Sequence, residues 1–493
     1  MSTSGSLAAK APVDRSQFFQ LFSVVMLPMF LAAIDQTLLA TATPIIGREF
    51  GALKDTSWLA VSYLLASVVM VPMYGQLGDQ YGRRKLLRLA IGAFAIGSIG
   101  CGLAPSFGFL VAARVLQGLG GGGLMTLSQA LIGEVLPPRE RARYQGYFAI
   151  VFTLASVGGP VIGGLVVHHA SWRWLFLVNL PLCMFAMWRL HRMRGHDVLH
   201  PQTGRRDLLG AVLFAGAMCV TLFWVSTAGQ HFAWLSWQSG ALFVAIAALW
   251  TTLVRHEGKV HRPFLPVDLL RIPEIRFAVF TVIGFASAMF SMVFYLPIYL
   301  QLSLNSNPAE SGLLLLPLTA GVVTGAALTG RLIVWTGRPT AIPMFGLSFA
   351  ALCLLGLAFA PVDKRLLIAL GCGTGLGLGS VMSVMQIVTQ TAAGPARLGA
   401  AAATMQLSRS LGSAIGASVF GALIFGLIDT TDVISAATTP EMRGQVRSAF
   451  QFAFTGAALL CVFAAVMASR VPTLRFDIVG KPAELEAGES ILE

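Results

Sequence analysis

Fourteen runs of mostly apolar residues, each long enough to cross a lipid bilayer, divide this 493-residue chain. A helix needs about 20 such residues to span the hydrocarbon core. The runs cover 18–42, 57–77, 86–104, 108–133, 145–167, 173–190, 207–227, 235–254, 276–302, 312–334, 341–360, 365–390, 402–428 and 447–469. A polar stretch precedes the first run, its apolar length exceeds the core of a cleaved leader, and a second run follows closely; it reads as a span. Composition agrees. Hydrophobic residues make up 56% of the chain and charged residues 11%, against about 25% charged in a soluble domain. A soluble enzyme, a disordered chain and a nucleic-acid binder are excluded. The fold class expected is an all-α polytopic membrane protein.

The net charge of +12 is topological. With the N-terminus placed in the cytoplasm, 25 of the 34 basic residues fall on the inner side, seven fall on the outer side, and Arg114 and Arg409 lie within spans. That bias follows the positive-inside rule and supports an even number of spans with both termini cytoplasmic. The six cysteines lie in or at spans without metal-ligand spacing, which points to buried packing.

The second half echoes the first. Gly75-x-Leu77 followed by Gly82-Arg83 returns as Gly330-x-Leu332 followed by Gly337-Arg338, an offset of 255. The same offset carries Gly118, Gly120 and Gly122 onto Gly373, Gly375 and Gly377. Parallel halves enclosing a mid-membrane site are a recurrent transporter plan. The organisation expected is a tail (1–17), a six-helix bundle (18–190), a linker with two inserted spans (191–275), a second six-helix bundle (276–469) and a tail (470–493).

Ionisable groups inside spans are few, and each needs a reason. Asp35 lies deep in the first span and can exchange protons as its surroundings alternate between wet and dry. Arg114 in the fourth span keeps its charge and can tune a mobile carboxyl. A static Asp35–Arg114 pair is the plainer alternative. Arg409 reads as snorkelling to the inner surface. Gly75, Asp79, Gly82, Arg83 and Arg84 form a tight inner loop in which Asp79 can accept hydrogen bonds from a neighbouring helix N-terminus; a loop that only sets topology is the alternative. Glu134 lies at the same level, either engaged with the loop or as a solvated helix end. Gly158, Gly159, Pro160, Gly163 and Gly164 break the fifth span, for function or as a packing kink. Met292, Phe294 and Tyr295 in an aromatic, Met-rich ninth span, with Tyr63, Gln117, Gln386, Gln390 and Gln406, are candidates for a substrate cavity, or for packing.

Four segments resemble the 14-helix drug:proton antiporter branch of the major facilitator superfamily. They are the loop from Gly75 to Lys85, Asp35-Gln-Thr37-Leu-Leu-Ala40-Thr-Ala42-Thr-Pro44, Arg114-Val-Leu-Gln117-Gly118-Leu-Gly120, and Gly158-Gly159-Pro160-Val-Ile-Gly163-Gly164. Ala40 stands where the branch usually has Asn, and Val334 replaces the aspartate in the second copy of the loop. The resemblance implies a major facilitator fold of two six-helix bundles plus two extra helices. It implies proton coupling through Asp35 and Arg114, and a gate in which Glu134 pairs with the loop arginine. The function it implies is proton-driven multidrug efflux, with antibiotic resistance as its consequence, across the bacterial inner membrane. Lipophilic or weakly cationic compounds would be the cargo; export of one endogenous metabolite is the alternative. The tenth span lacks the acidic residue that the resemblance associates with divalent cations, which favours neutral or monovalent cargo. The proton gradient replaces any cofactor, and no nucleotide-binding loop is present. An enzyme, a metal site and a nucleic-acid partner are not expected. The protein is expected to act as a monomer in lipid; in a double-membrane cell a periplasmic adaptor is a possible partner, although no sequence feature demands one.

Overall fold

The computed structural model describes residues 15–52, 57–136, 147–193 (without 148–149, 152–153, 156–157, 160–161 and 164), 207–227, 232, 235–260, 264–265, 267–304, 315–336, 339–359, 363–427 and 440–472. The architecture is all-helical. In a bilayer core no water can satisfy backbone polar groups, so the chain must pair them within helices. The helices are α1 (Arg15–Glu49), α2 (Ser57–Tyr81), α3 (Arg83–Gly102), α4 (Phe107–Val135), α5 (Asn179–Arg192), α6 (Leu208–Thr227), α7 (Trp237–Glu257), α8 (Pro273–Leu304), α9 (Leu316–Thr336), α10 (Ala341–Phe359), α11 (Lys364–Ala393), α12 (Leu398–Leu427) and α13 (Pro440–Ser469). Described residues of the expected fifth span are helical as well, 165–169 among them. Among the described residues eleven helices are long and apolar enough to cross a membrane. The apolar part of α6 is shorter, at Leu209–Thr221.

Local chemistry sets the helix ends. Between α2 and α3 only Gly82 leaves the helical path, at φ 95°, a conformation glycine adopts without strain. Ser106 caps α4 by accepting from the Phe109 N–H, and Asp363 caps α11 by accepting from the Arg365 and Leu366 N–H groups.

Two apolar cores form. One draws on residues from Val24 to Leu190, the other on residues from Ala278 to Val471. Within each, one glycine-rich helix is clasped by two neighbours. In the first half Gly118 and Gly122 of α4 lie against the α2 backbone at Tyr63 and Ser67, while Gly120 lies against α3 at Phe94. In the second half Gly375 and Gly379 of α11 lie against α9 at Leu318 and Val322, and Gly377 against α10 at Gly346. Small residues allow this close approach, which drives helix association in lipid. The match corrects the repeat. The spatial counterparts of Gly118, Gly120 and Gly122 are Gly375, Gly377 and Gly379, two residues beyond the offset of the loop motif. The caps Ser106 and Asp363 follow the same longer offset. A third cluster, Val68, Phe214, Met218, Leu253 and Phe264, seats the α6–α7 pair on α2, with Leu407 and Leu411 of α12 packed against it.

Of the six cysteines, Cys101, Cys183, Cys353 and Cys461 are buried and Cys372 is partly so. Cys219 departs from the expected buried packing and is exposed on α6. A methyl group at Gly118 would sit 2.4 Å from the Tyr63 carbonyl oxygen. Gly118→Ala is therefore expected to destabilise the protein by about 1–3 kcal/mol. Thermal unfolding in detergent reads this directly. Gly108→Ala, on the same helix with nothing within 4 Å of the added carbon, should leave the midpoint unchanged or higher.

Candidate functional site

The site has three parts, and α4 runs through all of them. The first is a carboxylate buried inside the first half. Asp35 is 3% exposed and Arg114 1%. Arg114 Nη1 donates to Asp35 Oδ2 at 2.6 Å and to Gln117 Oε1 at 2.7 Å, and its Nε donates to the Leu59 carbonyl at 3.0 Å. Gln117 Nε2 donates to Asp35 Oδ1 at 2.8 Å and to Ser98 Oγ at 2.9 Å. Asn179 Nδ2 donates to Asp35 Oδ1 at 3.2 Å. The guanidinium also lies over the Tyr63 ring, 4.5 Å from its centroid, a cation–π contact strengthened by the dry surroundings. Five helices, α1 to α5, thus converge on one carboxylate. A buried ion pair is tolerable only when hydrogen bonds satisfy both partners, and here they do.

The second part closes the face that carries the α2–α3 loop. Asp79 accepts from Arg83 Nη2 at 2.6 Å and from the Gly399 and Ala400 N–H groups at 2.9 and 3.1 Å. Those two groups open α12, so the carboxylate of one half sits on the positive end of a helix in the other. Arg83 Nη1 pairs with Glu134, and Arg83 Nη2 reaches the Pro395 carbonyl at 3.5 Å. The glycines make this approach feasible: a Cβ on Gly399 would sit 2.2 Å from the Gly75 carbonyl oxygen. Gln390 Nε2 adds a bond to the Gln129 carbonyl at 3.1 Å, again across the halves. Glu134 is therefore part of the latch rather than a solvated helix end. Arg114 and Glu134 are twenty residues apart on α4, about 30 Å along its axis, so the latch lies far from the buried carboxylate.

The third part is a cavity between the halves. It is lined from the first half by Met29, Ala33, Met125, Gln129 and Val151, and from the second by residues of α8, α9, α11 and α12, including Phe285, Met289, Phe290, Met382, Ser383, Gln406 and Arg409. Ala33 and Met29 stand two and six residues before Asp35 on α1, so a guest in the cavity touches the helix that carries the carboxylate.

Several sequence candidates fall elsewhere than expected. Tyr63 and Gln117 belong to the Asp35 cluster, not to the cavity lining. Met292 is 1% exposed within the second core. Gln386 is buried in α11, and Gln390 bridges the halves near the latch. The side chains of Phe294 and Tyr295 lie outside the described residues, as do Pro160 and Gly164. Gly159 packs on α1, where a Cβ would meet Thr37 Oγ1 at 2.0 Å; Gly158 has only Ile162 nearby, and Gly163 is buried. Thr37 Oγ1 donates to the Ala155 carbonyl at 2.8 Å, so the glycine-rich fifth span braces α1 beside Asp35. Arg84 is partly buried beside the latch. Arg409 lines the cavity instead of snorkelling: it stands eleven residues into α12, about 16 Å along the axis. Asn179 and Ser98 were not anticipated; an asparagine at the head of an apolar run was the signal for the first.

At the opposite face, beyond the apolar stretch of α1, Glu49 Oε2 accepts from the Trp172 indole at 2.6 Å and Oε1 from Arg173 at 2.8 Å. The indole hydrogen bond, with Arg173 adding to it against partial burial, holds this carboxyl below the ordinary glutamate range.

The Major Facilitator Superfamily profile matches residues 25–417. An uncharacterised MFS-type transporter of Mycobacterium tuberculosis is 32% identical over 417 residues, which is 83% of this chain and 60% of the relative. The chain thus spans about three fifths of that relative's length. The multidrug transporter protein MdtP of Bacillus subtilis is 30% identical over 410 residues, 82% of this chain and 75% of its own length. Among solved structures, the human organic anion transporter MFSD10 superposes with a TM-score of 0.65 at 15% identity, covering 91% of this chain and 99% of that one; at that identity the likeness speaks for the fold alone.

Proposed function

The chain belongs to the major facilitator superfamily, a family of membrane transporters and not of enzymes, and on that premise we propose that it is a proton-coupled antiporter exporting lipophilic small molecules across the bacterial cytoplasmic membrane. The observation that carries this reading is Asp35. Among the described residues it is the one acidic side chain in a helix interior; the others lie in loops or within two residues of a helix end. The latch face is taken as cytoplasmic, following the basic residues around it.

Chemistry at Asp35 supports a proton cycle. Ionised, it is matched by Arg114, Gln117 and Asn179. A protonated Asp35 needs an acceptor for its O–H. Arg114 has none to offer, and Gln117 Oε1 already serves Arg114. Asn179 Oδ1 is buried and has no donor among the described residues; rotation of its amide presents that oxygen to the new proton. Protonation then releases α1 from Arg114, whose charge stays matched by Gln117, the Leu59 carbonyl and the Tyr63 ring. Because α1 lines the cavity, its release and the guest's departure are mechanically linked. Proton and guest compete for one helix position, which is the condition for exchange.

Reconstituted vesicles holding a pH-sensitive dye test this. Adding a transported lipophilic compound outside should raise the interior pH as guest enters and protons leave. Uptake of that compound with no proton movement would refute antiport. A panel of dyes set against single metabolites separates broad efflux from dedicated export.

A further inference from the structure

Asp207 and Glu257 meet at the foot of the α6–α7 pair. Asp207 caps α6, its Oδ1 accepting from the Gly210 N–H at 2.7 Å. Glu257 is the last residue of α7 and is buried. Its two oxygens accept from the Leu265 N–H at 3.1 and 3.2 Å. Gly210 lets the two carboxyls converge: a Cβ there would collide with both Asp207 Oδ2 and Glu257 Oε1. The Asp207 side chain is 4% exposed, and its Oδ2 is buried without a hydrogen-bond partner among the described residues. A buried polar atom left unsatisfied calls for an explanation. The charged groups that act on Glu257 most strongly are Asp207 and His256. His256 Nε2 donates to Asp207 Oδ1 at 2.7 Å, and its side chain is partly exposed. One imidazole thus stands beside two carboxyls, and even when protonated it leaves the cluster one positive charge short.

We propose that this pair is a second proton-binding site, with one proton held on Glu257 and donated to Asp207 Oδ2. Two carboxylates that share one buried site do not both ionise. The helix dipoles choose between them: the positive end of α6 favours the anion at Asp207, and the negative end of α7 disfavours one at Glu257. Glu257 Oε1–H supplies the donor that Asp207 Oδ2 lacks, while Oε2 keeps the Leu265 N–H. His256, partly exposed and bonded to Asp207, gives the proton a route to the surface. The new bond ties the foot of α6 to the foot of α7, and its effect reaches α2. Gln76 Nε2 donates to the Phe264 carbonyl, and Phe264 packs with Val68, Phe214 and Met218. Gln76 follows Gly75, which touches Gly399 across the halves. Loss of the proton sets two like charges against each other and loosens the segment that grips α2. The hold of the α6–α7 pair on the latch helix therefore depends on the pH at that face. Neither antiport nor the cavity is needed for this.

Thermal unfolding of the purified full chain in detergent, followed from about pH 6 to about pH 9, tests the site. A proton bound by the folded state alone stabilises it at low pH, and that stabilisation is lost as the pH rises. Glu257→Gln places an amide donor where the O–H would be and keeps an acceptor for the Leu265 N–H. It should match the wild-type midpoint at about pH 6 and exceed it by at least about 2 °C at about pH 9. Curves for the two proteins that run parallel across this range overturn the proposal. If Glu257→Gln yields no folded protein, Asp207→Asn makes the same comparison, its amide donating toward Glu257. A second measurement needs neither substitution. Leu209 and Thr252 are exposed on α6 and α7. Spin labels carried by Leu209→Cys and Thr252→Cys in a Cys219→Ser background should move apart as the pH rises. A distance unchanged over the same range overturns the proposal.

Discussion

Asp35→Asn should abolish substrate-driven proton movement in dye-loaded vesicles while exchange of labelled substrate down its own gradient continues. The substitution keeps the shape of the side chain and an acceptor facing Arg114. It carries the same charge as the protonated aspartate, a state that a working cycle visits on every turn. The fold is therefore expected to tolerate it, although a one-sided loss from a buried ion pair generally costs about 3–5 kcal/mol. The remaining partners of Arg114 explain the difference: Gln117 Oε1 at 2.7 Å, the Leu59 carbonyl at 3.0 Å and the Tyr63 ring persist. What disappears is the one carboxyl group described in a helix interior. Asp35→Glu should keep proton movement at a reduced rate, since the longer side chain carries the same chemistry in a tighter space. Full proton-coupled transport by Asp35→Asn would place the carrier elsewhere and reduce the Asp35–Arg114 pair to a static tie.

The second large effect is expected at the latch. Asp79→Asn should move the protein from closed to open on the loop face. The carboxylate accepts from Arg83 and from two backbone N–H groups at the start of α12. An amide offers one acceptor oxygen and turns its NH2 toward a donor. Losing one charged hydrogen bond across the halves costs about 2 kcal/mol, which is about thirtyfold in the closed-to-open ratio. Spin labels at the loop-face ends of α2 and α12 measure the outcome as a longer distance population. Unchanged distances in Asp79→Asn would mean that the glycine contacts between α2 and α12 hold this face without the carboxylate.

Much of this site was legible in the sequence because the bilayer leaves few choices. A charge within an apolar run must have a partner, so Asp35 and Arg114 stood out, and the loop from Gly75 to Lys85 announced a tight turn beside a helix terminus. Its partner could not be read, because a backbone N–H group has no letter. Gly399 and Ala400 look like ordinary small residues until α12 is placed. Arg83 also serves two carboxylates, Asp79 and Glu134. A reciprocal exchange of Arg83 and Glu134, the natural rescue for a simple pair, would set a glutamate against Asp79. The cavity was the least legible part. Tyr63 and Gln390 are polar residues in spans and looked like lining, yet one lies under Arg114 and the other crosses to Gln129. Periodicity says that such a residue faces inward; it does not say whether inward means core, interface or cavity.

By itself the sequence determined the all-helical fold, the repeat of two halves and the identity of the buried charges. Those follow from local quantities: run length, glycine spacing and the cost of a charge in hydrocarbon. Only the tertiary structure decided which face of each helix meets which neighbour. It moved the glycine register of the repeat by two residues, brought Asn179 to Asp35, and turned Arg409 from the membrane surface to the cavity. Each of these depends on the rotation of one helix about its own axis, and that angle is set by packing between distant segments.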